Sequence, residues 1–223
     1  MAKYMSCFDI IGPIMVGPSS SHTAGAVRLG KMARYLLGEN PRKTDIFLHG
    51  SFRETYRGHG TDLALIAGLL GLETDDTRIK ESFRLAKEAS LDFSFQPADL
   101  GDVHPNTVRF LLEGETGYRL EMQGSSTGGG NIVVTEINGF PVELYGNFET
   151  IITTHRDVPG VIAQVTQVLS RHGINIAFMR VARKNKGKMA SMMIETDQSI
   201  PQEVLEEIKE LPYMSSVRLV GKV

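Results

Sequence analysis

TIITTHRDVPGVIAQVTQVLSRHGINIAFMRVAR, residues 150–183, is the stretch that decides the fold of the C-terminal part of the chain. Thr150–Thr154 is rich in β-branched residues and reads as a strand. Pro159 stands where the first position of a helix tolerates a proline, with Asp157 just ahead of it. That helix runs to His172 and stops at Gly173, and Ile174–Arg183 is strand-like again. Asn185–Lys188 then makes a basic turn, and Met189–Thr196 reads as the return strand. Pro201 opens a second helix that ends before Pro212, and Val217–Val220 is a last strand. The order is βαββαβ, and its layer solution is two helices on one face of a four-stranded antiparallel sheet, a ferredoxin-like fold. This unit is expected to occupy residues 148–223, leaving residues 1–147 as a separate domain.

The upstream part is glycine-rich and mixes periods. Ala24–Leu37 repeats apolar residues at helix spacing, and Gly38 followed by Pro41 ends the run. Asp45–Leu48 reads as a short strand. Thr61–Leu70 is apolar on nearly every face, which predicts a buried helix with Thr61 as its N-cap. Ile79–Ser90 is a more polar helix, and Leu91–Phe95 alternates like a strand. A meander follows. Thr107–Leu112 and Tyr118–Met122 alternate, Gly124–Gly130 reads as a loop, and Ile132–Ile137 and Phe140–Tyr145 flank the hairpin dipeptide Asn138-Gly139. The fold class is α+β, an N-terminal α/β domain followed by the βαββαβ unit.

Composition narrows the function. The 223 residues carry a net charge of −2, so no basic surplus points to nucleic acid and no acidic block reads as a tail. With 41% hydrophobic residues a packed core is expected. The single cysteine, Cys7, rules out an internal disulfide, a CxxC pair, a cysteine zinc site and an iron–sulfur cluster held by this chain alone. Cys7 itself reads as a buried small apolar residue. The first residues lack a signal-peptide pattern, and no apolar run approaches the ~18 residues that cross a bilayer. A cytoplasmic protein with no membrane partner is expected.

Five segments carry chemistry. Gly17-Pro18-Ser19-Ser20-Ser21-His22-Thr23 places four hydroxyls and an imidazole just ahead of a helix, an arrangement suited to a carboxylate or phosphate. One serine capping the helix, the rest being loop, is the competing reading. His49-Gly50-Ser51 follows a strand, and Gly58-His59-Gly60-Thr61-Asp62 opens the buried helix. An imidazole between glycines can act as a general base near neutral pH, or can simply bond a nearby carbonyl. Arg53 and Arg57 lie between these histidines and can pair with a carboxylate or belong to a solvated loop face. His104-Pro105-Asn106-Thr107 precedes the meander, and Gly128-Gly129-Gly130 with its upstream hydroxyls suits either a phosphate cradle or a flexible hairpin loop. No GxxxxGK[ST], GxGxxG or HExxH occurs, and the His49–His59 spacing fits no zinc pattern, so no metal site is expected.

GPSSSHTAGAVRLG (residues 17–30), HGSFRETYRGHGTDLALIAGLLG (49–71), HPNTVRF (104–110) and GGGNI (128–132) together resemble the β subunit of the bacterial iron–sulfur-dependent L-serine dehydratases. Asp157-Val158-Pro159-Gly160 and the unit around it resemble an ACT domain. The resemblance implies deamination of L-serine to pyruvate and ammonia. The cofactor it implies is a [4Fe–4S] cluster held by cysteines of a separate α subunit, one iron of which binds the serine hydroxyl. Three or more thiolates hold such a cluster, and this chain has one cysteine, so the resemblance implies activity only with the α subunit. It further implies His59 as the base for the α-proton, with His22 as a second catalytic residue. Ser19, Ser20, Ser21 and Thr23 would orient the substrate carboxylate and amine, and Ser51 and Asp62 would position neighbours. His49 stands where the family commonly has tyrosine, so no required role is carried over to it. For the ACT half the resemblance implies side-by-side self-association and an amino-acid effector, L-serine by association, held by Asp157, Pro159, Gly160 and Asn175. Asp157 merely capping its helix, in a domain that only dimerises, is the competing reading.

A different class is a non-catalytic amino-acid sensor, since the first domain also resembles the allosteric substrate-binding domain of some D-3-phosphoglycerate dehydrogenases. Two histidines at loop–helix junctions argue against a pure sensor. A transcription regulator is weaker still, because basic residues cluster only at Arg180–Lys188.

Overall fold

A computed structural model describes residues 12–223, so Cys7 lies outside the described residues. Contacts divide the chain into two compact units. The first ends at Asn138 and adds Glu143–Tyr145; the second takes Gly139–Val142 and everything from Gly146.

The first unit opens with a π-helical turn, Ser20–Ala24, that runs into α1, Gly25–Leu37. Gly38 closes α1 in the left-handed region at φ 76°, its amide bonded back to Arg34 O. Strand β1, Pro41–Leu48, leads to the short helix α2, Gly50–Thr55, and to α3, Thr61–Leu69. A 3₁₀ turn at Thr77–Glu81 precedes α4, Ser82–Glu88. Strands β2 (Asp92–Pro97), β3 (Thr107–Gly114), β4 (Arg119–Gly128), β5 (Asn131–Ile137) and β6 (Phe140–Leu144) complete a six-stranded sheet of order β2-β1-β3-β4-β5-β6. β1 and β2 are parallel, as the long helical crossover between them requires, and β1–β3, β3–β4 and β4–β5 are antiparallel. Asn138 (φ 50°) and Gly139 (φ 73°) form the two-residue turn expected of that pair.

Helix α1 lies on β3, β4 and β5, and α3 lies on α1. The two helices touch backbone to backbone. A Cβ on Gly30 would stand 2.3 Å from Leu65 O, and one on Gly68 would stand 2.0 Å from Val27 O. Helix α3 is buried nearly all round, as its sequence predicts, from Thr61 and Asp62 through Ala64–Leu69.

Two readings of this unit need correction. Gly124–Gly128 is not a loop but the second half of β4. Gly124 has no side chain because a Cβ there would meet Leu29 Cδ2 at 2.8 Å, and α1 needs that space. Ser125 and Ser126 are both buried. The Ser125 hydroxyl lies 2.7 Å from Thr107 Oγ1, which also donates to His104 O at 2.6 Å. Thr107→Val should therefore cost about 1–3 kcal/mol, because it orphans a buried hydroxyl; chemical denaturation measures it. Thr61, in turn, is not the N-cap of α3. Gly60 takes that place at φ 67°, no side chain caps the helix, and Thr61 Oγ1 is buried without a partner.

The second unit contains β7 (Glu149–Arg156), α5 (Val161–Arg171), β8 (Ile176–Arg183), β9 (Met189–Thr196), α6 (Gln202–Lys209) and β10 (Met214–Val220). Its sheet runs β10-β7-β9-β8, each pair antiparallel, the order of a ferredoxin-like βαββαβ unit. The apolar stripes of both helices, Val161, Val165, Val168 and Leu169 on α5 and Val204, Leu205 and Ile208 on α6, join Ile151, Met192, Ile194 and Val217 of the sheet in one core. The start of α5 differs from expectation. Gly160, at φ 95°, precedes the first helical residue Val161, so Pro159 lies outside the helix. Asp157 does not cap it either. Its carboxylate accepts from Gly187 N at 2.9 Å and from Arg183 Nη1 at 3.2 Å, bonds to the β8–β9 hairpin that hold it below the usual carboxylate range.

Candidate functional site

The segment ahead of α1 is shaped by its glycine and its first serine. Gly17 sits at φ 140°, where a Cβ would stand 2.5 Å from Thr23 Cγ2. Ser19 is extended, its hydroxyl accepts from His22 N at 3.2 Å, and its carbonyl accepts from Thr23 N at 2.8 Å. The turn that follows is wider than an α turn, closed by Gly25 N on Ser20 O. Such π turns recur at functional positions. Ser126 supports it from below: a Cβ on Gly25 would stand 2.0 Å from Ser126 Oγ, which is buried and has no partner.

This turn surrounds the His22 ring with hydroxyls. His22 Nδ1 lies 3.1 Å from Ser21 Oγ and 3.4 Å from Ser19 Oγ, and those two hydroxyls are 3.3 Å apart. On the other side, His22 Nε2 lies 3.0 Å from Ser51 Oγ of α2. The His59 ring stands edge-on to His22 with centroids 4.7 Å apart, and the buried Phe52 ring is edge-on at 5.3 Å. Thr23 Oγ1 donates to His59 O at 3.4 Å, and His59 N donates to Thr55 O at 3.0 Å, so the GHG turn is fixed at both ends. His59 Nδ1 is buried without a hydrogen-bond partner.

Segments 17–23, 49–51 and 58–62 thus meet at two imidazoles, with Ser19, Ser21 and Ser51 in contact with the His22 ring and Thr23 bonded to the His59 carbonyl. Ser20 contributes its carbonyl to the turn. Asp62 faces its own helix: Oδ1 accepts from Leu63 N at 2.9 Å, and burial pushes the carboxyl above its usual range against the pull of those amides and of Arg57. Arg57 stacks over the Tyr56 ring at 5.4 Å, and Arg53 lies 3.7 Å from Glu54. His104 is exposed, its Nδ1 accepting from Asn106 N at 3.1 Å. In the triple-glycine turn, Arg28 Nη1 donates to Gly130 O at 2.9 Å and Pro13 packs against Gly130, so the turn is occupied by the chain itself. In the second unit, Asn175 Nδ2 donates to Asp197 Oδ2 at 2.6 Å, and its amide donates to Gln198 Oε1 at 2.7 Å. Sequence reasoning missed Phe52, Ser126 and the Thr107–Ser125 pair. Only the FRET segment beside Ser51 gave a hint of the first.

Electrostatically, burial and then the nearby His59 hold the His22 imidazole below its ordinary value of 6.5. The folded chain therefore binds this proton less readily than the unfolded chain. As pH falls through about 6.5 the unfolded state protonates first and stability is lost; His155, buried on β7 and also lowered, adds to the same trend. An NMR titration should give a His22 midpoint below the ordinary value. His59→Ala should move that midpoint upward, though burial keeps it short of normal.

Among the described residues no three His, Cys, Asp or Glu side chains gather as a metal site. Among them, too, no helix is long and apolar enough to cross a membrane.

The serine dehydratase beta chain family matches residues 6–137, and the ACT domain family matches residues 150–213. A probable L-serine dehydratase beta chain of Bacillus subtilis is 48% identical over 219 residues, covering 98% of this chain and 99% of the relative. The L-serine dehydratase beta chain of Peptoniphilus asaccharolyticus is 38% identical over 96% of this chain and 97% of its own length. A D-3-phosphoglycerate dehydrogenase of Bacillus subtilis is 30% identical over 159 residues, which are 70% of this chain and 30% of that enzyme.

Proposed function

This chain belongs to the serine dehydratase beta chain family and ends in an ACT domain, and on that premise we propose that it is the acid–base and substrate-orienting half of an L-serine ammonia-lyase. The substrate is L-serine and the products are pyruvate and ammonia. The partner is an α subunit, whose cysteines hold a [4Fe–4S] cluster. Bound there, the cluster supplies Lewis acidity at the serine hydroxyl oxygen. Everything else in the reading concerns this chain's own residues.

The observation that carries it is the imidazole pair, His22 and His59, ringed by Ser19, Ser21 and Ser51. Removal of the α-proton needs a neutral base near physiological pH. His59 is that base. His22 has a hydroxyl at each ring nitrogen and is held neutral by burial, so it orients and polarises without adding a second positive charge. The serine hydroxyls and Thr23 bind the substrate carboxylate and ammonium. Asp62 holds the first turn of α3 through Leu63 N and so fixes the approach of His59.

The ACT unit is regulatory in this reading. Asp157, Pro159 and Gly160 form the loop ahead of α5, Asn175 stands at the opposite end of the sheet at the start of β8, and in this reading they hold an amino-acid effector, L-serine, where two ACT units associate. The cytoplasm is the expected compartment, since a cluster of this kind needs reducing conditions.

The test is reconstitution. The purified chain alone should be colourless and inactive, and anaerobic mixing with the iron-loaded α partner should yield pyruvate from L-serine. Tight stoichiometric serine binding by the chain alone, with no activity from any α partner, would instead establish the sensor role that the likeness to D-3-phosphoglycerate dehydrogenase favours.

A further inference from the structure

His49 is left unused by the reading above, yet its ring is one of the more tightly placed in the first unit. The side chain is only 16% exposed, and its Nδ1 accepts from Leu100 N at 3.1 Å. A ring nitrogen that accepts an amide proton carries none of its own, so the neutral ring is the Nε2–H tautomer. Asp99 Oδ1 lies 3.8 Å from the same nitrogen and is engaged with Gly101 N at 3.0 Å.

The residue stands at the start of α2, whose Ser51 and Phe52 both touch the His22 ring. Six residues are too few to hold a helix in place by themselves. No side chain caps this one. Its position comes from outside bonds: His49 N to Thr107 O at 3.1 Å and Phe52 N to Pro105 O at 3.4 Å. Gly50, at φ 52°, seats against Pro105, where a Cβ would be 2.6 Å from the proline carbonyl. Pro105 lies in the segment joining β2 to β3, and Thr107 is the first residue of β3. That segment is tied at its near end by Ala98 N to Leu48 O at 2.9 Å, and between its ends the Leu100 amide ties it back to the β1–α2 junction at His49.

We infer that His49 is a positioning residue: by taking the Leu100 amide at Nδ1 it fixes the β2–β3 segment against the start of α2, and through α2 it holds Ser51 and Phe52 on His22. The inference rests on the proposed role of the His22–His59 pair. Without the bond, α2 gains freedom, Ser51 leaves His22 Nε2 for part of the time, and water reaches a ring whose burial keeps it neutral.

Two replacements in the complex with the α partner test this. His49→Phe keeps a planar ring and loses the acceptor. His49→Asn keeps an acceptor oxygen near the place of Nδ1. His49→Phe should lower kcat for L-serine about tenfold with KM changed less than about twofold. It should also move the acid limb of the pH profile upward, toward the ordinary imidazole value. His49→Asn should recover kcat to within about threefold of the parent. Nitrogen-15 NMR of the unmodified full chain should show His49 as the Nε2–H tautomer, a readout that stands even if His49→Phe does not fold. An Nδ1–H tautomer, an unchanged kcat and pH profile in His49→Phe, or an equal defect in His49→Asn overturns the inference. His22→Ala and Ser51→Ala, prepared alongside, separate the two levels. If they lose activity while His49→Phe does not, only the role of His49 fails. If they too retain full turnover, it is the reading of the site that fails.

Discussion

His59→Ala, assembled with its α partner, should lose about 10²–10⁴-fold in kcat on L-serine while KM moves only a few-fold. The argument is geometric. His59 is fixed through its backbone at Thr55 O and Thr23 Oγ1, and Gly60 at φ 67° turns the chain sharply into α3 behind it. Its Nδ1 faces the interior without a partner, so the ring's exchange with substrate runs through Nε2. His22 differs in having a hydroxyl within 3.1 Å of each ring nitrogen. Removing a positioned base abolishes proton transfer but leaves binding largely intact, hence a loss in kcat and not in KM. Added imidazole should restore part of the rate. Serine deuterated at the α-carbon should show a larger isotope effect in the variant than in the parent. If His59→Ala keeps normal turnover and His22→Ala loses it, the base is His22, and the assignment, not the family, is revised.

Gly68→Ala should be the most damaging single methyl in the first unit. Helix propensity alone favours alanine by about 1 kcal/mol. Against that, the new Cβ would stand 2.0 Å from Val27 O, 2.7 Å from Lys31 N and 2.9 Å from Gly30 Cα. All three are backbone atoms of α1, and none can rotate away. Helix α1 cannot retreat either, since it rests on the sheet at Gly124 through Leu29. The steric effect wins, and a net loss of about 3 kcal/mol is expected by urea denaturation. Gly58→Ala is the control. Its Cβ meets only Thr55 O at 3.6 Å, an ordinary contact, and stability should change by less than about 0.5 kcal/mol.

Much of this fold is legible in the chain because local rules and the tertiary solution agree. The Asn138-Gly139 dipeptide makes its turn, α5 and α6 bury the stripes that their helical period sets out, and α3, apolar on every side, is buried on every side. The failures share a cause. Gly124–Gly128 looks like a loop because glycine and serine have low strand propensity, but that strand is set by the need of α1 for space at Gly124 and by a hydroxyl pair between strands. Pro159 and Asp157 look like a helix start, but Gly160 at φ 95° delays it and Arg183 with Gly187 claims the carboxylate. At the candidate site, the three segments are visible as strings of Gly, Ser and His. Their meeting is not, because the contact of Ser51 with His22 spans 29 residues and depends on how α2 is anchored.

The π-helical turn at Ser20–Ala24 makes the spacing of this segment as restrictive as its composition. Each residue of a helix advances about 100° around the axis. Deleting any one residue between Ser20 and Gly25 would let the turn close with α geometry. Every side chain upstream would then swing by about that angle relative to α1, carrying Ser19 and Ser21 off the His22 ring. Chains that share this site can therefore exchange hydroxyl for hydroxyl along the segment, but they should not differ in its length.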